Sequence, residues 1–237
     1  MKLKVLGIIP ARSGSKGVKN KNIKKLGKYP LIYYTICQSI KSKIFDDIII
    51  STDSKKYLKI AEKYGVSSPF LRPLRLSTSR SLATETIYHS IKECERFYNK
   101  KYDLICMLQP TSPFRKLNDF TKIFKIIKNN YKKCDSVISV TDVDNYHPYK
   151  MKIISSNKLI DYKKWHIENP PRQSLPKTFI VNGAFYFFKR DQFMKKKSFK
   201  GKISLPYVMP KERSINIDND LDFSLAEVYL RKLKIKF

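Results

Sequence analysis

Short apolar runs of the kind buried on both faces of a sheet recur along this chain, and stretches with helical spacing separate most of them. That alternation restricts the possible folds more than any other feature. Lys4 to Ile9, Phe45 to Ser51 (FDDIIIS), Tyr102 to Leu108 (YDLICML), Ser136 to Thr141 (SVISVT) and Gly183 to Phe188 (GAFYFF) read as strands. Tyr33 to Ile36, Ser54 to Tyr64, Ala83 to Tyr98, Leu117 to Asn129 and Asp220 to Lys234 read as helices, the last marked by Leu221, Phe223, Leu225, Val228 and Leu230. Repeated β-α-β units imply an α/β fold, a parallel sheet covered by helices on both faces. The rhythm breaks between Asp142 and Thr178, where Tyr, His, Pro, Lys and Asn predominate. The expected organisation is therefore one core domain of residues 1–141 and 179–237, with 142–178 as an excursion from it.

A chain of 237 residues, 42% hydrophobic, can bury the core of one large domain. No apolar run reaches the roughly 18 residues needed to span a bilayer, and the N-terminal run is too short for a signal-peptide core. The four cysteines (Cys37, Cys94, Cys106, Cys134) lack metal or redox spacing and read as free thiols. Together these features point to a cytoplasmic protein. The net charge of +29 raises the question of a nucleic-acid or membrane partner. Lysines outnumber arginines and are spread along the chain without a recognisable binding module, so the charge reads as a solvated surface that draws anionic substrates to a cleft.

Three segments could carry chemistry. Pro10 to Asn22 (PARSGSKGVKNKN) follows the first strand, and its two glycines and its Arg12, Lys16 and Lys21 suit phosphate binding. It matches neither the dinucleotide fingerprint nor the P-loop, and a solvated turn can have the same composition. Leu108 to Arg115 (LQPTSPFR) follows another buried strand. There Gln109 offers an amide to a polar ligand, while Arg115 could instead cap carbonyls in a stiff connector. In Ile215 to Asp222, alternate residues Asn216 and Asp218 could share a divalent cation, and Asp220 and Asp222 suit the start of the last helix. His89, His147 and His166 have no companion at motif spacing and read as packing or surface residues.

Ile9 to Gly17 with Lys21-Asn22, Ser51-Thr52-Asp53, Leu71-Arg72-Pro73, Leu108 to Arg115, Pro171-Arg172-Gln173, Asn182-Gly183-Ala184 and Ile217-Asp218 follow one another along nearly the whole chain. In that order and spacing they resemble the acylneuraminate cytidylyltransferases. The resemblance implies a Rossmann-like nucleotidyltransferase with a mostly parallel sheet and a small dimerisation excursion, and hence a homodimer. It implies transfer of CMP from CTP to the anomeric hydroxyl of a nonulosonic acid such as N-acetylneuraminate or legionaminate, with release of pyrophosphate and Mg2+ as cofactor. By resemblance, Arg12 and Lys21 are the catalytic cations. Ala11, Arg12, Lys16, Asn22, Arg72 and Thr84 fall on the nucleotide side, and Gln109, Arg172, Asn182, Tyr186 and Phe199 on the sugar side. Asp218 and Asn216 occupy the metal positions.

The chain departs from the family pattern at three places. Asn216 stands where a second aspartate is usual, Leu76 to Arg80 lacks an aspartate common there, and Ile180 stands where some sialic acid members carry arginine. The last change leaves room for a legionaminic-type sugar. Two other readings compete: a cytidylyltransferase for 3-deoxy-manno-octulosonate, and a non-catalytic basic protein that binds nucleotides or nucleic acid.

Overall fold

A computed structural model describes residues 2–168, 170–233 and 235. In chain order the elements are β1 (Val5–Pro10), β2 (Lys25–Leu26), β3 (Tyr29–Pro30), α1 (Leu31–Ser42), β4 (Asp47–Ser51), α2 (Lys55–Glu62), α3 (Ala83–Tyr98), β5 (Leu104–Met107), α4 (Leu117–Asn129) and β6 (Ser136–Asp142). They continue with β7 (Lys152–Ser155), β8 (Lys158–Asp161), β9 (Phe179–Lys189), α5 (Arg190–Lys196), β10 (Ser204–Val208) and α6 (Asp220–Leu233). The expected last helix thus forms, although Lys234 lies outside the described residues. None of the described helices is long and apolar enough to cross a membrane.

Six strands build the central sheet in the order β10-β6-β9-β5-β1-β4. Every pairing is parallel except those of β9, which runs antiparallel to both β5 and β6. The sheet is therefore mostly parallel, and Pro206 lies in edge strand β10, where a missing N–H is tolerated. Val5 and Ile9 of β1 face a core completed by α1, α2 and α4. Leu6 and Ile8 face the opposite core, completed by Ile87, Ile91 and Cys94 of α3 and Phe193 of α5. A third cluster packs Phe223 and Ala226 of α6 against Val18, Leu26, Leu31 and Phe114. The last helix is thereby fastened beside the loop that follows β1.

Because the chain leaves β1 toward β4 and returns on the other side to β5, a crevice opens beyond the carboxyl ends of β1 and β5. Arg115 fixes one wall of it. Its guanidinium is 1% exposed and donates to the carbonyls of Gln109 (2.8 Å), Ser112 (2.6 Å) and Ala184 (2.7 Å) and to the Thr35 hydroxyl (3.0 Å). Burial pushes its pKa down to about 9, so it remains charged at neutral pH. Asp119 makes a second tie. Its carboxylate accepts from the Lys116 amide (2.7 Å) and the Tyr207 hydroxyl (2.7 Å) and pairs with Arg213, joining α4 to β10 and the segment beyond it.

The segment between β6 and β9 carries the β7–β8 hairpin. Ser156 and Asn157 both have positive φ, as a two-residue type I′ turn requires. Every residue of the two strands is exposed, including Ile153, Ile154, Leu159 and Ile160. His147 braces the base of this segment. Its Nδ1 accepts the Tyr149 N–H (3.2 Å), and its Nε2 lies 3.0 Å from the Pro176 carbonyl and 2.8 Å from the Thr178 hydroxyl.

Replacing Arg115 with leucine would take a donor from three carbonyls, of which those of Ser112 and Ala184 are buried. Arg115→Leu is expected to lower unfolding free energy in urea by about 3 kcal/mol or more. A loss below about 1 kcal/mol would show that the guanidinium does not hold the loop.

Candidate functional site

The crevice is a cleft of about 380 Å³ lined by the loops after β1 and β5, the segment leading into α3, and the 216–218 segment. Arg12, Lys16, Lys21 and Arg72 line it, against the single carboxylate of Asp218. Asn22, Gln109 and Asn216 line it as well. The structure thus brings together eight of the sequence-derived site residues.

The cationic loop takes its shape from its anchors. Ala11 N–H donates to the Ser51 carbonyl (2.9 Å), carrying the β1–β4 pairing one residue past the strand. Asn22, 5% exposed, donates its amide to the Arg12 carbonyl (3.1 Å), so it shapes the loop as well as lining the cleft. Asn20 adopts a left-handed conformation at φ 55°, which asparagine tolerates. The far end of the loop is closed by Lys21, whose ammonium donates to the Ile217 carbonyl (2.7 Å) and to Asp218 Oδ1 (3.0 Å). Gly17 lies so close to that segment that a methyl group there would overlap the Asp218 carbonyl oxygen.

Arg72 is the most deeply held cation of the cleft. Its NH2 donates to the Ser51 carbonyl, and its backbone N–H to the Thr52 carbonyl (2.7 Å). Burial pushes its pKa down to about 10, Asp53 opposing and Arg12 adding to the shift. Among the described residues nothing accepts from its buried Nε. A desolvated, partly satisfied cation beside a second arginine suits an anionic ligand.

On the opposite wall, Gly183 at φ +75° passes so close beneath Gln109 that a methyl group would overlap Gln109 Oε1. Asn182 lies under this wall. Its amide donates to the Ser214 hydroxyl (2.9 Å) and accepts from the Ser139 hydroxyl (2.6 Å) and the Ala184 N–H (3.2 Å), so its hydrogen-bonding groups are spent on the scaffold. Asn216 donates its amide to Asp218 Oδ2 (3.1 Å), which orients the aspartate. Asn219 and Asp222 exchange side chain-to-backbone bonds at the start of α6 (3.0 and 2.9 Å), and Asp220 pairs with Lys24.

Several sequence-derived site residues lie elsewhere. Ala11 is buried in the core beside the loop, and Thr84 sits on α3 outside the lining, where Ala83 and Thr86 face the cleft. Tyr186 and Phe199 pack 5.5 Å apart in the cluster that includes Met107, behind the cleft floor. Arg172 pairs with Asp142 (3.7 Å) and Asp144 at the base of the hairpin segment, in a separate recess. Ile180 is exposed on β9 beside an apolar hollow formed with Tyr146, Phe179 and Ile215. The hydroxyls of Thr78, Ser79 and Ser81 were not singled out by the sequence, and they give the α3 side of the cleft a polar lip above the buried Thr86.

The residues offer a cation little on their own. Among the described residues no three Asp, Glu, His or Cys side chains cluster as a metal site. The exposed carboxylate of Asp218, paired with Lys21, is an oxygen donor of the type that Mg2+ takes.

The model of the Cytidylyltransferase family matches residues 6–203. The chain is 37% identical over 232 residues to an N-acylneuraminate cytidylyltransferase of Escherichia coli O18:K1:H7, covering 95% of this chain. It spans about half, 52%, of that longer relative. It is 32% identical over 230 residues to a CMP-N,N'-diacetyllegionaminic acid synthase of Campylobacter jejuni serotype O:2, covering 97% of this chain and 96% of the relative. A solved CMP:2-keto-3-deoxy-manno-octonic acid synthetase complexed with CTP superposes with a TM-score of 0.70 at 12% identity, covering 97% of this chain and 99% of that one. At that identity the likeness speaks for the fold alone.

Gly17→Ala should force the cationic loop away from the Asp218 segment. The expected loss is about 1–3 kcal/mol in urea unfolding, and an unchanged midpoint would show that the contact yields freely.

Proposed function

Since the chain belongs to the Cytidylyltransferase family, we propose that it transfers CMP from CTP to a sialic-acid-like nonulosonic acid and releases pyrophosphate. The observation that carries this reading is the convergence of Arg12, Lys16, Lys21 and Arg72 in one cleft. Relatives named for N-acylneuraminate, legionaminic acid and pseudaminic acid support the sugar class.

In the proposed reaction the anomeric hydroxyl attacks the α-phosphorus and pyrophosphate departs. Negative charge gathers on phosphoryl oxygens, so positioning and fixed cations supply the catalysis. Arg12 and Lys21 neutralise the leaving pyrophosphate, and Lys16 assists from the exposed rim. Lys21 would exchange its bond to Asp218 for one to phosphate, releasing the carboxylate. Asp218 would then hold Mg2+, with Asn216 orienting it; when bound, the metal supplies further charge to the phosphate oxygens. Asn22 and Arg72 serve the nucleotide, and Gln109 faces the sugar. Among the described residues no histidine or cysteine lines the cleft, which suits a direct transfer without a covalent protein intermediate.

The proposed assembly is a homodimer in the cytoplasm, with no nucleic acid or membrane as partner. The exposed apolar residues Ile153, Ile154, Leu159 and Ile160 of the hairpin, with Phe179 and Ile180 of β9, support a second copy covering this side. Such a copy is also the route by which Arg172, Tyr186 and Phe199 could serve the sugar, since within one chain they do not line the cleft.

A pyrophosphate-release assay with CTP, Mg2+ and a panel of sugar acids, including N-acetylneuraminate, legionaminate and 3-deoxy-manno-octulosonate, tests the reading. Release with a nonulosonate is expected, and its absence across the panel sinks the proposal. Arg12→Ala and Lys21→Ala should each lower kcat/KM by about 10²-fold or more; near-normal turnover in both would remove their assigned role. Asn216→Asp should lower the Mg2+ concentration needed for half-maximal rate, and an unchanged requirement counts against the metal position.

A further inference from the structure

Past the last β1–β4 backbone pair, a side chain takes over from the strand. Ser13 N–H donates to Asp53 Oδ1 (2.9 Å) and the Ser13 hydroxyl to Asp53 Oδ2 (2.6 Å). Both bonds fall two residues beyond the Ala11 to Ser51 backbone bond, so the carboxylate extends the ladder where the two backbones part. Neither Ser13 nor Asp53 lines the cleft, yet Arg12, between Ala11 and Ser13, does. The Tyr57 hydroxyl adds a brace, lying 3.4 Å from the Ser13 carbonyl and 3.3 Å from Asn20 Oδ1. Burial, with Asp53 nearby, pushes the Tyr57 pKa up to about 12, so it stays a neutral donor.

We propose that Asp53 is a positioning residue for the triphosphate: by gripping Ser13 through both carboxylate oxygens it fixes the direction in which Arg12 enters the cleft. Arg72 feels the Asp53 charge but takes its hydrogen bonds elsewhere, its guanidinium donating to the Ser51 carbonyl and its backbone N–H to the Thr52 carbonyl. The two arginines are therefore fastened by separate means to the same strand end. Loss of the Asp53 grip should loosen Arg12 and leave Arg72 in place. Triphosphate contacts should weaken, and contacts to the nucleoside monophosphate part should hold.

This rests on the proposed reaction only for the identity of the nucleotide, and equilibrium binding separates the two claims. Titration calorimetry with CTP and with CMP on the full chain, for the native protein and for Asp53→Asn, provides the test. The isosteric variant keeps its shape and loses the charge-assisted grip. The Kd for CTP is expected to rise about tenfold while that for CMP changes by less than about twofold. A parallel loss of both affinities, or no change in either, overturns the positioning role. If Asp53→Asn does not fold, Ser13→Ala removes one of the two bonds. It should then weaken CTP alone by about threefold, and unchanged CTP affinity would overturn the proposal. Native protein that binds CTP without transferring CMP would sink the reaction but not this role. Native protein that binds no CTP would sink both.

Discussion

One buried guanidinium holds together the parts from which the cleft is built. Arg115 reaches the loop after β5 through the Gln109 and Ser112 carbonyls, β9 through Ala184, and α1 through Thr35. Desolvating a cation is costly, and hydrogen bonds to fixed carbonyls offset that cost only if all of them are made. The arrangement therefore tolerates little slack. Gly183, whose φ of +75° strains any residue with a side chain and which lies against Gln109 Oε1, is next to the residue that Arg115 grips. The wall carrying Gln109 is thus a rigid product of buried polar chemistry, even though it is reached through a loop.

The opposite wall is organised by charge near the surface. Four cations face one carboxylate, and Lys21 pairs with that carboxylate. A triphosphate entering this field would find Arg72 incompletely satisfied and Lys21 able to exchange partners. The result is a site whose scaffold is fixed and whose charges can be redistributed. That combination suits a reaction in which negative charge builds on the α,β-bridging oxygen as it departs with pyrophosphate.

Much of the fold was legible in the sequence because amphipathic periods are strong in long helices. Ala83–Tyr98 and Leu117–Asn129 form as read, and the doubly buried runs form β1, β4, β5 and β6 with ends shifted by one or two residues. Strand direction is not written in an apolar run, so the antiparallel course of β9 was not foreseen. Nor were α5, the small β2–β3 and β7–β8 pairs, or β10, whose Pro206 and sparse apolar pattern conceal an edge strand. In the site, Arg12, Lys16, Lys21, Arg72, Gln109 and Asp218 converge because motifs at strand ends are gathered by a parallel sheet. Thr84 missed the lining because one step along a helix rotates a side chain by about 100°, which puts Ala83 and Thr86 there instead. Asn182 and Asp53 belong to quoted motifs, but their scaffold roles depend on partners distant in sequence, Ser139 and Ser214 for one and Ser13 for the other.

The central claim is that this cleft moves the α-phosphoryl group, with its nucleoside, onto a sugar acid. Following the label from CTP carrying ³²P at the α position, in the presence of Mg2+ and a nonulosonic acid, reads that event directly. The account predicts that the label appears in a phosphatase-resistant conjugate that contains the sugar and carries one phosphate. Label that remains in CTP, or that appears only as free CMP, would contradict it.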